Sequence, residues 1–419
     1  MIITDKAQIK CYELIESDLK LPADATFTRS SIAYLSDGTQ VPANTPRFEA
    51  GKFGKAIMVE EGTTNLLNNP TFKGESGVAS CFTAYGSGVN YEIVNDGYLP
   101  NTLSQRLYYI SPTGDDSQMN KGIRFRFNIT GQIGDVFTIT FYGKGWEEHD
   151  NISTYWSAAR QLSLEKEQLE GGWTKYTHII QLTDTATTYY IRPNGNKEYS
   201  FDCLINAPQL EAKPYPTSFI DGTRSPETLT IPTAGVLNPQ EGTIEFWVKK
   251  SAPSRVTGNC FFATTGTKRW DAWFDVGGKI LFGLYNENSN NENSDGWLYA
   301  SISGTFPLNS WQHIAITWNS SGQRLYYNGQ LVGVNTSTPI DFGNTIYIGS
   351  YKSTGYESNT LIDDLRISNR ARTDAEILAA YQSGKPLLAD EWTTYKLDFD
   401  DKVRITAQGQ IICNEFIEI

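Results

Sequence analysis

The sequence predicts an all-β protein made of two consecutive β-sandwiches with short terminal β segments. Three observations carry that reading. Short aromatic or β-branched runs alternate along nearly the whole chain with clusters of Gly, Asn, Asp and Pro, the pattern of sandwich strands and turns rather than of βαβ units. The 419 residues exceed what one core organises, so length points to two or three domains. A single segment reads as helix: in TDAEILAAY, Thr373 can cap the first turn, Glu376 can reach back to complete a capping box, and Gly384 can end the last turn.

Composition excludes several functions. A net charge of −12 repels phosphate backbones and anionic headgroups, which sets nucleic acid aside as a partner. No apolar run reaches the length of a membrane span, so no membrane insertion is expected. The opening MIITDKAQIKCYEL lacks the basic-then-apolar order of a secretory signal, and synthesis and folding in a cytosol is the expectation. Cys11, Cys81, Cys203, Cys260 and Cys413 are odd in number and widely spaced, with only three histidines in the chain; they read as buried thiols rather than as a zinc site. Aromatic residues make up 13% of the chain, with 10 Trp and 23 Tyr, so core packing and ligand contact compete for them.

Two Pro-rich joints divide the chain. They set off an N-terminal docking or linker segment (1–62), a first sandwich (63–215), a second sandwich (216–388) and a C-terminal β segment (389–419). In the second sandwich Ile244, Phe246 and Val248 share one strand face, as do Ile314, Ile316 and Trp318. Asn328-Gly329 lies between two apolar runs, the sequence of a type I′ hairpin turn. Asp363, by strict alternation, falls with Leu361, Leu365 and Ile367; a carboxylate there must be paired, hydrogen-bonded or metal-bound.

The two ends of the chain match. Residues 3–16 align without gaps to 405–418, with Ile, Thr, Gln, Ile, Cys, Glu, Ile and Glu coinciding. Ile9, Cys11 and Ile15 share one strand parity, as do Ile411, Cys413 and Ile417, so both ends can form equivalent strands that pair together or dock onto neighbouring copies in a homo-oligomer. Chance similarity between two β-rich ends is the alternative.

From about residue 218 to 387 the chain resembles the laminin-G-like, concanavalin-A-like jelly rolls. The resemblance rests on Phe219-Ile-Asp-Gly222, Gly242-Thr-Ile-Glu-Phe-Trp-Val-Lys249, Trp311-Gln-His-Ile-Ala-Ile-Thr-Trp318, Leu325-Tyr-Tyr-Asn-Gly-Gln-Leu-Val332 and Leu361-Ile-Asp-Asp-Leu-Arg-Ile367, in that order. Residues 65–210 resemble, less closely, the carbohydrate-binding-module-like sandwiches that precede such domains. The opening segment, with Thr28-Arg-Ser-Ser-Ile-Ala-Tyr34 and Gly54-Lys-Ala-Ile-Met-Val-Glu-Glu61, is similar to the linkers of bacteriophage tail and minor structural proteins. These resemblances imply a virion protein of tail-fibre or receptor-binding type. It would be made in the bacterial cytoplasm, adhere to a host cell-wall or surface glycan, and assemble with other virion proteins. Purely structural decoration of the particle is the alternative, and a glycan depolymerase a lesser one.

Sugar contact needs exposed aromatic faces beside hydrogen-bonding groups. Trp270, Trp273, Tyr285 and Trp297 supply them in the second sandwich, and Trp146 and Trp156 in the first; each has core packing as its other reading. The resemblance also implies a structural calcium near Asp363, with Asp221 or Asp364 as a helper, and another near Asp202; a carboxylate satisfied by backbone N–H groups is the alternative. No catalytic residue is expected. The closely spaced acidic strand motif of jelly-roll glycosidases is missing, and Glu245 reads as an edge or solvated carboxylate beside Trp247 and Lys249.

Overall fold

The structure is a computed structural model that describes residues 21–413 apart from 86–89, 110–123, 147–149, 155–157, 194–200, 254–258, 267, 276–278, 287–296, 302–305, 337–341, 354, 398–402 and 406–410. It is built almost wholly of antiparallel β-strands. The chain divides into two compact units: one takes residues 30–43 and 62–225, the other residues up to 29, 44–61 and 226 onward.

The first unit is a sandwich of a six-stranded and a four-stranded sheet. The larger sheet runs Ala159–Gln168, Trp173–Leu182, Val136–Lys144, Phe201–Glu211, Ser104–Tyr109, Asn90–Val94. The smaller runs Asp150–Thr154, Ala186–Pro193, Arg124–Thr130, Thr83–Tyr85. Period-two alternation sends Phe137, Ile139 and Phe141 inward, where they meet Tyr176, Ile180, Phe127 and Tyr189. Phe141 stacks on Tyr176 with ring centroids 4.7 Å apart. One polar contact crosses this core: His178 Nδ1 lies 3.0 Å from the Tyr189 hydroxyl, and both residues are buried.

The second unit pairs a seven-stranded with an eight-stranded sheet. The first runs Thr26–Thr28, Thr228–Pro232, Thr345–Ile348, Asn259–Thr264, Lys268–Phe274, Lys279–Asn286, Trp297–Ser301. The other runs Gln330–Asn335, Gly322–Tyr327, Trp311–Asn319, Gly242–Lys250, Thr360–Ser368, Lys55–Val59, Arg47–Ala50, with Thr393–Leu397 also paired to Thr360–Ser368. Ile244, Phe246, Val248, Ile314, Ile316 and Trp318 all enter the core, as their alternation requires. Asn328 (φ 48°) and Gly329 (φ 76°) make the expected left-handed turn. Thr373 and Glu376 form the capping box of the helix Asp374–Ser383, and Gly384 closes it in the left-handed conformation.

Strands from the opening segment are built into both sheets of this unit. Ala56, Ile57 and Val59 are fully buried, because a chain end with that pattern finds its apolar partners only inside a sandwich. Four charges go in with them. Glu227 accepts from Arg29 Nη1 at 2.8 Å and from Arg47 Nε and Nη2 at 2.8 and 2.7 Å, while Arg47 Nη2 also reaches Glu60 at 2.8 Å. All four side chains are shielded from solvent.

Alternation fails at one informative place. Asp364 adopts φ 52°, and the pairing with Gly242–Lys250 shifts register between Glu245 and Trp247. This bulge flips the parity. Ile362, Leu365 and Ile367 face the core, and Asp363 stands opposite Trp247 on the other face, rather than with Leu365 and Ile367 as strict alternation expects.

Of the terminal residues, Ile411 and Cys413 lie in a short strand, Ile411–Cys413, paired to Val403–Ile405. Ile9, Cys11, Ile15 and Ile417 lie outside the described residues. Cys203 and Cys260 are buried free thiols and Cys81 is a partly buried one, with burial pushing Cys81 and Cys203 up to about 12.

Two outcomes follow from these buried polar groups. Replacing Glu227 by Ala takes the shared carboxylate from two buried guanidinium groups, leaving Arg47 with Glu60, and should cost about 3–5 kcal/mol in denaturant unfolding of the second unit; a loss below 1 kcal/mol would show that water reaches the cluster. Burial lowers His178 from 6.5 to about 4, so the unfolded chain takes up the proton first. Stability is then full above about 6.5 and falls as pH drops toward 4, by an amount on the order of 2–3 kcal/mol. His178→Gln should flatten that part of the acid limb, measured as the difference from wild type across the window.

Candidate functional site: an aromatic face on the second sandwich

In the strand Lys268–Phe274 the residues alternate between core and surface. Trp270, Ala272 and Phe274 are buried in the core. Trp273 has the opposite parity and is partly exposed. Its ring centroid lies 5.3 Å from that of Tyr351 and 5.4 Å from that of Tyr356, the second contact edge-to-face; the two tyrosines are 5.7 Å apart. Lys352 Nζ stands 5.8 Å from the Tyr351 ring. The result is a partly exposed aromatic triad with an ammonium at its margin.

The segment carrying both tyrosines is held from beneath. Cys260 N donates to Tyr356 O at 2.8 Å, Asn259 Nδ2 to Glu357 O at 2.6 Å, Ser358 N to Gly349 O at 2.7 Å and Ser251 N to Asn359 O at 2.9 Å. Lys250 Nζ reaches Ser358 O at 2.9 Å and Asn259 Oδ1 at 3.2 Å, and lies 5.0 Å from the Phe274 ring. Burial lowers this ammonium to about 7. An amine is thus held inside the sandwich, where it clamps the loop that presents the aromatic face.

The structure separates the sequence candidates. Trp270 is fully buried and donates to Gln323 Oε1 at 2.8 Å; Trp146 is buried and donates to Leu204 O at 2.7 Å. Both are core residues, not sugar platforms, because each indole N–H is satisfied inside and no ring face is left. The ladder sets Tyr285 opposite Arg269, and Trp297 opposite Gly283, which stands opposite Asp271. These positions share the strand parity of Trp273; only their backbone is described. Trp156 lies outside the described residues. Tyr351 and Tyr356 escaped sequence reasoning, since they sit in a loop with no periodicity.

Each carboxylate named for calcium has partners within the chain. Asp363 Oδ2 accepts from Lys52 N at 2.6 Å and Phe53 N at 3.0 Å, the donor set of a carboxylate locked by a turn. Both oxygens of Asp202 face Arg106, at 2.7 and 2.5 Å. Asp221 accepts from the Thr71 hydroxyl at 3.2 Å, in the other compact unit from Asp363. Among the described residues no three His, Cys, Asp or Glu side chains converge.

Glu245 is fully buried, a correction to the solvated carboxylate expected from its strand face. Arg366 Nε donates to it at 2.9 Å and Arg366 Nη2 at 2.5 Å, and Arg372 Nε stands 3.3 Å away. Burial opposes its charge, but His313 and Arg366 prevail and hold its pKa below the usual carboxylate value. Tyr381 of the helix stacks on the neighbouring Trp247 at 5.7 Å. Glu245 is therefore part of the seal beneath a helix.

The two packed antiparallel sheets define a β-sandwich of jelly-roll class with an aromatic face turned outward. Residues 222–378 match the family described as the concanavalin A-like lectin/glucanases superfamily, in its Laminin_G_3 form. No curated protein matches the chain in sequence. Among solved structures, the chain is similar to a SAP-like pentraxin from Limulus polyphemus: 17% identity over 34% of this chain and 70% of that one, TM-score 0.25. Domain 4 of AbnA, a GH43 extracellular arabinanase from Geobacillus stearothermophilus in complex with arabinotriose, gives 16% identity over 36% and 71%, TM-score 0.29. A botulinum neurotoxin type C structure, described as dependent on two ganglioside molecules for cell entry, gives 20% over 38% and 41%, TM-score 0.30. At these TM-scores the likenesses carry no weight for substrate or activity.

The Lys250 clamp has a pH signature. With the unfolded value at 10.5 and the folded one at about 7, the unfolded chain binds the proton more tightly between those limits. Stability of the second unit should therefore climb as pH rises from about 7 to 10, and Lys250→Met should remove that climb. An unchanged slope in the variant would assign the rise to other groups.

Proposed function

We propose that this protein is a non-catalytic glycan-binding protein whose second sandwich meets sugar through Trp273, Tyr351 and Tyr356. The observation that carries the reading is the aromatic triad itself: a partly exposed strand tryptophan against two partly exposed tyrosines of a clamped loop, although the same strand buries Trp270. Sugar C–H faces pack on such rings, and the Lys352 ammonium offers donors to hydroxyls at the edge. The matched family is named for lectins and glucanases, and the lectin side suits this chain, because Glu245, an acid on a central strand, is sealed and ion-paired. For setting, the resemblance of the opening segment supports an adhesion component of a bacteriophage particle, acting on a host cell-wall or surface glycan.

The test is a glycan array of bacterial cell-wall and capsular polysaccharides, probed with the full chain and with Trp273→Ala and Tyr351→Ala. Loss of one stacking ring should weaken saturable binding roughly tenfold at an unchanged melting temperature. Binding that survives both substitutions would remove this face from consideration. Absence of binding to any glycan would favour structural decoration of the particle.

A further inference from the structure

The first sandwich carries a second feature, separate from the Trp273 face. A groove of about 450 Å³ opens on the outer face of its six-stranded sheet, lined by Val94, Asp96, Arg106, Lys144, Asp202 and Leu204 together with Gly145. The strand register explains why these residues meet. Glu92, Arg106, Leu204, Lys144 and Trp173 stand opposite one another in a single cross-strand row, and Tyr108 and Asp202 form part of the next. Gly145, at φ 78°, cannot be replaced without conflict, since a Cβ there would lie 2.3 Å from Asp202 O.

The charges in the groove are paired but not exhausted. Arg106 spends Nε and Nη2 on Asp202 at 2.7 and 2.5 Å and Nη1 on Glu92 at 2.6 Å; its two terminal nitrogens each carry a further N–H. Lys144 Nζ donates to Asp96 at 3.1 Å and lies 5.5 Å from the Trp173 ring, leaving other protons to donate. Each Asp202 oxygen has taken one N–H, and a carboxylate oxygen can accept more than one. Donors and acceptors therefore interleave along one wall, and Tyr98, stacked on Tyr142 at 4.6 Å and tilted 6.2 Å from Trp173, adds aromatic surface beside Lys144. Three carboxylates stand against two cations.

We propose that this groove is a second binding site, for an uncharged polyhydroxylated ligand, a neutral glycan segment. Vicinal hydroxyls donate and accept at once, and so can bridge Arg106 to Asp202 and Lys144 to Asp96 without breaking either pair. A carboxylated or sulfated glycan cannot. Its charge would find both cations already neutralised by Asp202, Glu92 and Asp96 and would meet the surplus negative charge. The site needs nothing from Trp273, so it stands or falls by itself.

Titration of the full chain by calorimetry with cellohexaose, maltohexaose and mannohexaose, and with hyaluronan oligosaccharides and sialyllactose as anionic comparators, tests it. At least one neutral oligomer should bind Trp273→Ala protein as it binds wild type, and Arg106→Ala or Lys144→Gln should each weaken that binding roughly tenfold. Lys144→Gln lies two strands away from Arg106 and spares the Arg106–Asp202 pair, which guards against a folding artefact. The double variant Asp96→Asn, Asp202→Asn removes the carboxylate from Lys144 and one of the two from Arg106, and should turn preference toward the anionic oligomers. Tighter binding of anionic than neutral oligomers to wild type would overturn the proposal. So would neutral binding indifferent to both wall substitutions, or no neutral binding at all.

Discussion

A carboxylate removed from water must be met by positive charge or by N–H donors, and the second sandwich is organised around one that is met by both. Glu227 takes Arg29 and Arg47 as ion partners and the Glu60 backbone N–H at 3.0 Å. Because Arg29, Arg47 and Glu60 come from the opening of the chain, that cluster ties distant sequence into one unit. The apolar strand Lys55–Val59 then completes the sheet beside Thr360–Ser368. Breaking such a cluster is costly, while assembling it adds little net stability; its effect is to specify which strands belong together.

The same rule, that every buried polar group must be answered, decides which aromatic residues can touch a ligand. Trp270, Trp146 and Trp318 each find an internal acceptor, the last at Asn238 O, 2.9 Å away. They fill cores. Trp273 sits one strand position out of phase with the core set and meets two tyrosines from a loop instead. That loop keeps its shape through backbone bonds and through Lys250, an ammonium whose burial lowers its proton affinity. Binding surface and core are thus linked by a single strand's alternation and one buried amine.

Carboxylates in both units serve structure. Asp363 locks a turn, Glu245 holds Arg366 beneath the helix, and Asp202 aligns Arg106. Where these groups remain accessible, as in the groove of the first sandwich, pairing leaves lone pairs and protons that suit hydroxyl-rich ligands better than ions.

The all-β class, the Asn328-Gly329 turn, the capped helix and the inward faces of Gly242–Lys250 and Trp311–Asn319 were determined by the sequence itself. They depend on period-two burial and on local backbone preference, which neighbours in the chain suffice to express. The resemblance of about 218–387 to concanavalin-A-like jelly rolls rested instead on a series of motifs in order, and the family match over residues 222–378 agrees with it. Tertiary structure decided the rest. A bulge at Asp364 turned Asp363 away from the core, a covering helix buried Glu245, and a loop without periodicity brought Tyr351 and Tyr356 to Trp273. Cross-strand register gathered Arg106, Asp202 and Lys144 from positions far apart in sequence. Alternation assigns a residue to a face; only the packed sheets decide what covers that face and which distant residues stand across from it.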